Sequence, residues 1–215
     1  MVNWLRTEPM AEIIILDNQS TYQPLLDYYK TLDCRVVMLD KNYGHTALYS
    51  WNGHHDLKSQ YFVYSDPDLL PKEDCPSNVI PYLLALKKEH FFFNKIGMML
   101  ETTDIPDHYK YKSEVLRLHR NYCHNRLKNC FVSHVDTTFA MYDIEKTAGK
   151  EHYMRNCLIT ARPYVMRHLP WYVDSSNLTE EDKYYAKTAD ATFVNTDNKK
   201  VNVGYWTQLV RQELE

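Results

Sequence analysis

Short apolar runs alternate with amphipathic segments along the first half of the chain. Residues 12–16 form an apolar, β-branched run that is typical of a strand buried on both faces. Residues 22–32 then place leucines at helical spacing, with Pro24 in the first turn. The same order repeats around predicted strands at 35–39 and 60–64. Strands that alternate with helices predict an α/β fold with a mixed, mostly parallel sheet.

The second half of the chain has a less regular pattern. We expect a helix over residues 76–89 that bends at Pro81, a strand over 95–100 and a long amphipathic helix over 109–127. The remaining predicted elements are an extended segment over 131–142, a strand over 161–166, a helix that opens at Thr179 with an acidic first turn, and a terminal helix over 205–214.

Aspartates follow three successive predicted strands, at Asp17, Asp40 and Asp66. Ligands of open α/β sheets bind beyond the carboxyl ends of the strands, so these side chains are candidates for a binding site. Aspartate is also a common turn residue, and three such endings arise readily without a ligand. The pattern leaves both interpretations open.

Composition excludes several classes of protein. The five glycines never fall close together, so a Rossmann fingerprint and a phosphate loop are excluded. The formal charge of -3 provides no broad basic field, and we expect no nucleic-acid partner. The five scattered cysteines and the lack of an apolar run of about 18 residues predict a cytoplasmic protein with no membrane span. The 18 tyrosines suit a carbohydrate site, although burial is the commoner explanation.

Asp66 and Asp68 form an Asp-x-Asp pair directly after the third predicted strand. Two carboxylates at such a place can hold a hard divalent cation, Mn²⁺ or Mg²⁺, whose coordination is often completed by substrate phosphates. In a transferase that uses a nucleotide-sugar, the ion neutralises charge on the departing diphosphate. A plain turn explains the sequence Ser-Asp-Pro-Asp equally well.

Six ordered motifs extend this pattern along most of the chain. They are residues 17–21, 40–45, 66–68, 103–109, 135–140 and 168–172. Together they resemble the motifs of GT-A fold nucleotide-sugar glycosyltransferases, in particular small cytosolic enzymes of polysaccharide, surface-glycan and viral capsid glycan synthesis. The resemblance implies a GT-A-like sheet flanked by helices, in a single domain over 1–215. A nucleotide-sugar-binding half would span 1–100 and an acceptor-binding half 101–215.

The resemblance also implies a UDP-sugar donor of glucose or rhamnose type, a glycan acceptor and a role for each motif residue. The implied nucleotide-binding residues are Asp17, Asn18, Ser20, Asp40, Lys41, Tyr43 and Asp66. The implied metal ligands are Asp66, Asp68 and His168, since imidazole suits Mn²⁺. The implied catalytic residues are Asp136 and Asp104, and the implied acceptor-binding residues are Asp107, Trp171 and Tyr172.

The stereochemical outcome stays open at this stage. An inverting enzyme needs a carboxylate base for the acceptor hydroxyl, which Asp136 or Asp104 could supply. A retaining enzyme can let the departing phosphate take that proton, and a late histidine ligand resembles retaining members of the family. The sequence Val2-Asn3-Trp4-Leu5 resembles the end of a helix that precedes the first strand in related enzymes. It is therefore open whether the chain is one domain of a longer protein.

Two other functions compete with glycosyl transfer. A phosphohydrolase of the haloacid-dehalogenase type also carries Asp-x-Asp after a strand. Such enzymes place the pair on the first strand before a Gly-Thr type of turn, whereas here it follows the third strand and precedes Leu69-Leu70-Pro71. A non-enzymatic glycan-binding module could instead use the many Tyr and Trp side chains, and sugar binding without any effect of nucleotide or metal would favour it.

Overall fold

The computed structural model describes residues 1–8, 10–44, 47–120, 122–135, 139–147 and 156–188. Within these ranges the α-helices are α1 Val2–Leu5, α2 Gln23–Tyr29, α3 Ala47–Ser50, α4 Val79–Glu89, α5 Lys112–His119, α6 Ile144–Thr147 and α7 Glu180–Thr188. The strands are β1 Ile14–Asp17, β2 Arg35–Met38, β3 Tyr61–Tyr64, β4 Leu69–Pro71, β5 Lys95–Gly97, β6 Met99–Leu100, β7 Asn125–Leu127, β8 Cys130–Ser133, β9 Ala140–Asp143, β10 Cys157–Thr160 and β11 Val165–His168. Short 3₁₀ helices cover Asn52–Asp56, Leu169–Tyr172 and Ser175–Asn177.

Six strands form the main sheet, in the order β3-β9-β5-β10-β8-β7. β5 and β10 are parallel, and the other neighbouring pairs described in this sheet are antiparallel. β1 and β2 form a separate parallel pair, and β4-β11-β6 form a third sheet. The predicted α/β class with a mixed sheet is confirmed. The expected mostly parallel character is wrong, because a parallel pair needs a long crossover connection and short turns such as the one between β7 and β8 return the chain antiparallel.

Apolar side chains fill both faces of the main sheet. On one face α4 packs against β5 and β9, and Leu83, Ile96 and Phe139 there are fully buried. The ring of Trp4 in α1 meets Phe139 edge-on at 5.2 Å between ring centroids. The opposite face carries a second buried cluster of Leu48, Val135, Ala140, Tyr142, Cys157 and Ile159. Full burial of a large aliphatic or aromatic side chain adds about 1.5–3 kcal/mol to the free energy of unfolding.

The elements of the first half lie where the sequence predicts them. β1, α2, β2 and β3 all fall within or next to the predicted ranges. Pro24 lies at the start of α2, and α4 begins at Val79, so Pro81 lies in the first turn and breaks no helical hydrogen bond. The expected burial of β1 on both faces is wrong, because Ile14, Ile15 and Leu16 are only half-buried.

Two predictions in the second half fail for a tertiary reason. The helix expected over 109–127 is wrong, since α5 ends at His119 and the chain then forms β7, which pairs with β8. The strand expected over 161–166 is also displaced, because β10 ends at Thr160 and β11 begins at Val165. In both cases the sequence pattern of a short segment is ambiguous, and pairing with a neighbouring strand decides its secondary structure. The terminal helix predicted over 205–214 lies outside the described residues.

α7 confirms a local prediction. The hydroxyl of Thr179 accepts from the backbone N–H of Asp182 at 3.1 Å, and the Asp182 carboxylate accepts from the backbone N–H of Thr179 at 2.9 Å. This reciprocal pair satisfies two of the free N–H groups at the start of the helix. Among the described residues, no helix is both long enough and apolar enough to cross a membrane.

Candidate metal and nucleotide site

The Asp-x-Asp pair lies in the connection between β3 and β4. β4 pairs antiparallel with β11, and this register sets Leu69 opposite His168. The backbone N–H of Leu169 donates to the carbonyl oxygen of Asp68 at 2.9 Å, which extends the ladder by one residue. The Asp68 Oδ2 atom therefore lies 3.4 Å from the His168 Nε2 atom. Residues a hundred positions apart in the sequence are brought together by strand pairing.

The second polar atom of each side chain in this pair is unsatisfied. Asp68 Oδ1 and His168 Nδ1 are buried, and neither has a hydrogen-bond partner among the described residues. Most buried polar atoms in proteins are paired, and an unpaired one costs about 1–3 kcal/mol. These are not the two atoms that face each other, because the 3.4 Å separation joins Asp68 Oδ2 and His168 Nε2.

The donor set of Asp68 and His168 fits a divalent cation. Two ligands that each lie about 2.1 Å from one ion are about 3.0–3.5 Å apart at octahedral to tetrahedral angles, and the observed separation is 3.4 Å. Within the described residues no group of three His, Cys, Asp or Glu side chains converges on one point. A cation held by this pair would need further ligands, which water can supply.

Asp66 lies near the tyrosines at the end of β3. Burial, and then the negative charge of Asp66, raise the pKa of Tyr64 to about 12. Burial also raises the pKa of Tyr142 well above its usual range, with a smaller contribution from Asp66. Both phenols keep their protons at neutral pH, so they remain hydrogen-bond donors beside this carboxylate.

The loops after β1 and β2 interlock, because these two strands are parallel neighbours. The Asn18 side chain donates to the carbonyl oxygen of Gly44 at 3.2 Å and accepts from the backbone N–H of Tyr43 at 3.1 Å. The Gln19 amide donates to the carbonyl oxygen of Asp40, whose carboxylate accepts from the Tyr43 hydroxyl at 2.8 Å. The structure thus brings together Asn18, Asp40 and Tyr43, three of the residues predicted to hold a nucleotide, whereas Asp66 lies in the connection between β3 and β4.

Asp17 is buried beneath these loops. Its Oδ1 accepts from the backbone N–H of Ser20 at 2.7 Å, and its Oδ2 accepts from the Tyr29 hydroxyl at 2.8 Å. Burial, followed by this hydrogen bond, raises the pKa of Tyr29 far above its usual value. The Lys41 ammonium lies 5.0 Å from the centre of the Tyr43 ring. Both Asp17 oxygens are used by the fold, and its contact with a nucleotide stays a prediction.

Asp104 lies beside β11 in an ion-pair network. Its Oδ2 accepts from Nε of Arg167 at 3.0 Å, its Oδ1 accepts from the Tyr172 hydroxyl, and Arg167 also pairs with Glu73. Burial acts to raise the pKa of Asp104, but the hydrogen bonds from Arg167 and Tyr172 outweigh it and the net pKa is lowered. A general base works best with a pKa near the operating pH, so these contacts suit a positioning residue better than a base.

The other predicted catalytic and acceptor residues are dispersed. Asp136 lies outside the described residues. The Asp107 side chain is 98% exposed and pairs with Lys112 at 2.6 Å. The Trp171 ring is only 8% exposed and meets His168 edge-on at 4.9 Å and His119 at 5.0 Å between ring centroids. Little of this ring is available for stacking on a sugar.

A cavity of about 430 Å³ has His119 among its lining residues, and the His119 ring meets the Trp171 ring edge-on. Its lining residues come from three separate stretches of the chain. They include Met98, Leu100, Thr103, His119, Tyr122, Arg126, Phe131, His134, Ile159 and Arg162. No motif in the sequence marks them, because only the fold of the sheet and α5 brings these stretches together. Sequence reasoning missed this cavity.

The buried Glu101 carboxylate binds the half-exposed guanidinium of Arg162, which lines the cavity. The Glu101 side chain is fully buried and binds Arg162 through two bonds, at 2.8 and 2.6 Å. It also accepts from the backbone N–H groups of Thr102 and Thr103 at 3.0 and 2.8 Å. Burial acts to raise the pKa of Glu101, but these bonds hold it well below its usual range. The guanidinium of Arg162 is therefore fixed in orientation.

Comparison with known proteins adds little to this description. No protein-family model matches the chain, and no curated protein matches it. A solved structure described as a mycobacterial protein is similar to 73% of this chain, with a TM-score of 0.41 and 13% identity. The chain spans 56% of the length of that protein.

Proposed function

We propose that this chain is a metal-dependent glycosyltransferase of the GT-A type, which moves a sugar from a UDP-sugar to a hydroxyl of a glycan. The observation that carries the proposal is the pair of Asp68 and His168, 3.4 Å apart, each with a buried polar atom that has no partner among the described residues. The facing Asp68 Oδ2 and His168 Nε2 atoms suit an ion that also binds phosphate.

The order of the loops supports the same proposal. The interlocked loops after β1 and β2 come first along the chain, the Asp-x-Asp connection after β3 comes next, and His168 comes late, at the end of β11. This is the order that the resemblance to GT-A enzymes implies. A mixed sheet with helices packed on it is compatible with that fold.

In this proposal each part of the site has one task. Asp68 and His168 hold the cation, which when bound neutralises the charge that develops on the departing diphosphate. Asp66 contacts the ribose or the cation, and the loops around Asn18 and Asp40 receive the nucleoside. The Asn18 side chain is already hydrogen-bonded to backbone groups of the loop after β2, so the loops need little rearrangement to bind.

The acceptor would enter the cavity that His119 lines. Its hydroxyl must lose a proton, either to a carboxylate or to the departing phosphate. The lowered pKa of Asp104 and its pairing with Arg167 favour Asp136 for the role of base in an inverting reaction. In the retaining course that the resemblance favours, Asp136→Asn would leave turnover near the wild-type rate.

A melting-temperature panel tests the proposal. Purified protein is heated with UDP, with other nucleoside diphosphates and with orthophosphate, each with and without Mn²⁺. We expect UDP with Mn²⁺ to raise the melting temperature most, because a ligand at 100 times its dissociation constant adds about 2.7 kcal/mol to the free energy of unfolding. The Asp68→Asn variant should lose the Mn²⁺-dependent part of this shift. Asp33→Asn, an exposed change at the opposite end of β2, should keep it.

A phosphatase assay and melting curves with free sugars, added to this panel, separate the competing functions. Release of phosphate from a generic phosphomonoester, with no preference for UDP, would support the phosphohydrolase. Stabilisation by free sugars, with no response to nucleotide or Mn²⁺, would support a glycan-binding module. A Mn²⁺-dependent UDP shift that survives in Asp68→Asn would overturn the metal site proposed here.

A further inference from the structure

The cavity that His119 lines has two arginines in its described lining, Arg126 and Arg162, and no Asp or Glu. Glu101, which is not a lining residue, pairs with Arg162, so Arg126 is the lining cation with no described counter-charge. The volume of about 430 Å³ lies within the range of small-molecule sites, about 300–1,000 Å³. A chain with a formal charge of -3 has no general excess of cations, so the local excess is a property of this cavity.

The two arginines are held in different ways. Arg162 is fixed by Glu101, which uses both carboxylate oxygens to bind it, and its side chain remains 47% exposed. Arg126 lies in β7, where its Nε donates to the carbonyl oxygen of Lys128 at 3.1 Å. Arg126 forms no ion pair among the described residues. One cationic group at the rim is therefore rigid, and a second lacks a described counter-charge.

The rest of the lining is apolar or aromatic. Met98, Leu100, Phe131 and Ile159 form this part of the wall, and Tyr122 adds an aromatic side chain with a polar edge. Aromatic and aliphatic walls suit the C–H faces of a sugar ring, while arginine suits carboxylate and phosphate oxygens through paired hydrogen bonds. The combination matches a sugar that carries an acidic group.

We propose that this cavity binds an acceptor sugar that carries a negative charge, a carboxylate or a phosphate, and that Arg126 and Arg162 meet this charge. That the bound sugar is the acceptor rests on the proposed glycosyl transfer. The charge preference rests on the cavity alone. The Trp171 ring contacts His168 of the candidate metal site and also His119, which lines the cavity.

Calorimetry without metal or nucleotide tests the charge preference independently of transfer. The probes are glucuronic acid, glucose 6-phosphate and glucose, each at millimolar concentration and at low and high salt. We expect at least one acidic sugar to bind about tenfold or more tightly than glucose, and we expect added salt to reduce this difference. The acidic sugar with the higher affinity shows whether the cavity prefers a carboxylate or a phosphate.

Variants then locate the preference. Arg126→Gln should lower the affinity for the acidic sugar about tenfold and leave the affinity for glucose unchanged. Arg126→Lys should restore only part of that affinity, because an ammonium group keeps the charge but not the paired donors. Arg117→Gln is the matched control, because Arg117 is exposed on α5 and does not line the cavity. Equal binding of acidic and neutral sugars, no binding of either acidic sugar, or an equal loss in Arg117→Gln would overturn the inference.

The preference for acidic sugars and the proposed glycosyl transfer can each be contradicted without the other. Selective binding of an acidic sugar by a protein that shows no Mn²⁺-dependent UDP shift would leave an acidic-sugar site without the transferase. A clear UDP shift with no preference for acidic sugars would leave the transferase with a neutral acceptor.

Discussion

The loops after β1 and β2 and the edge where β4 meets β11 both carry aspartates, but the surroundings of those aspartates differ. Asp17 is 2% exposed, and its two oxygens accept from Ser20 and Tyr29. Asp68 Oδ1 and His168 Nδ1 are buried with no partner among the described residues. A filled acceptor stabilises the fold, whereas an unfilled one destabilises it and can receive a ligand. The residue type therefore says less about function than the number of its unfilled hydrogen-bonding positions.

The largest expected effect comes from changing Asp68 or His168 at the edge where β4 meets β11, and it leaves the fold intact. Asp68→Asn and His168→Gln should each lower sugar transfer by about 100-fold or more, which is about 2.7 kcal/mol of transition-state stabilisation. Because neither side chain has its full set of partners in the free protein, the free energy of unfolding should change by less than about 0.5 kcal/mol. Steady-state transfer assays and urea unfolding measure the two quantities. A large loss of stability would show that these residues hold the fold instead.

Glu101→Gln should give the largest loss of stability. Glu101 is fully buried and accepts from Arg162, Thr102 and Thr103, so the change removes charge-assisted bonds. We expect a loss of about 2–3 kcal/mol, below the range for fully buried pairs because Arg162 is half-exposed. Urea unfolding measures it, with the exposed Glu12→Gln as the control within about 0.5 kcal/mol. Equal stability of the two variants would contradict the role of Glu101 as a support.

Asp17→Asn should show the opposite pattern to Asp68→Asn. It should cost about 1–3 kcal/mol of stability because Asp17 accepts from Ser20 and Tyr29 in a buried place. Tyr29→Phe removes one of those bonds and should cost about 1 kcal/mol. Urea unfolding of both variants provides the measurement. Calorimetry on the folded Asp17→Ala protein then tests the predicted nucleotide contact, which would appear as weaker UDP binding with unchanged Mn²⁺ binding.

The smallest effect concerns pH. The folded-state pKa of Glu101 lies below its unfolded value, so its contribution to stability is fully present above about pH 5. As the pH falls below the unfolded pKa, the unfolded chain binds the proton first and this contribution is progressively lost. Stability between pH 5 and pH 3 should therefore fall more steeply for the wild type than for Glu101→Gln. Parallel curves in urea titrations would exclude an ionised, paired Glu101.

The sequence predicted local elements well where periodicity and caps were long and consistent. α2 with Pro24 in its first turn, and α7 with the reciprocal Thr179 and Asp182 bonds, follow from short-range chemistry. β7 is a different case, because residues 125–127 continue a helical pattern and become a strand only through pairing with β8. A segment of three residues is too short for its hydrophobic pattern to predict the strand with which it pairs.

The candidate site likewise has features that local sequence predicts and features that depend on tertiary contacts. The sequence by itself determined the alternation of elements and the Asp-x-Asp pair after a strand, whereas His168 was proposed as a ligand only through the resemblance to GT-A enzymes. It could not determine that Asp17 and Asp104 are occupied by hydrogen bonds of the fold, or that Glu101 fixes Arg162. Only the tertiary structure decided these, because hydrogen-bond satisfaction and a cavity depend on which distant strands pair, and strand register is set by packing across the sheet.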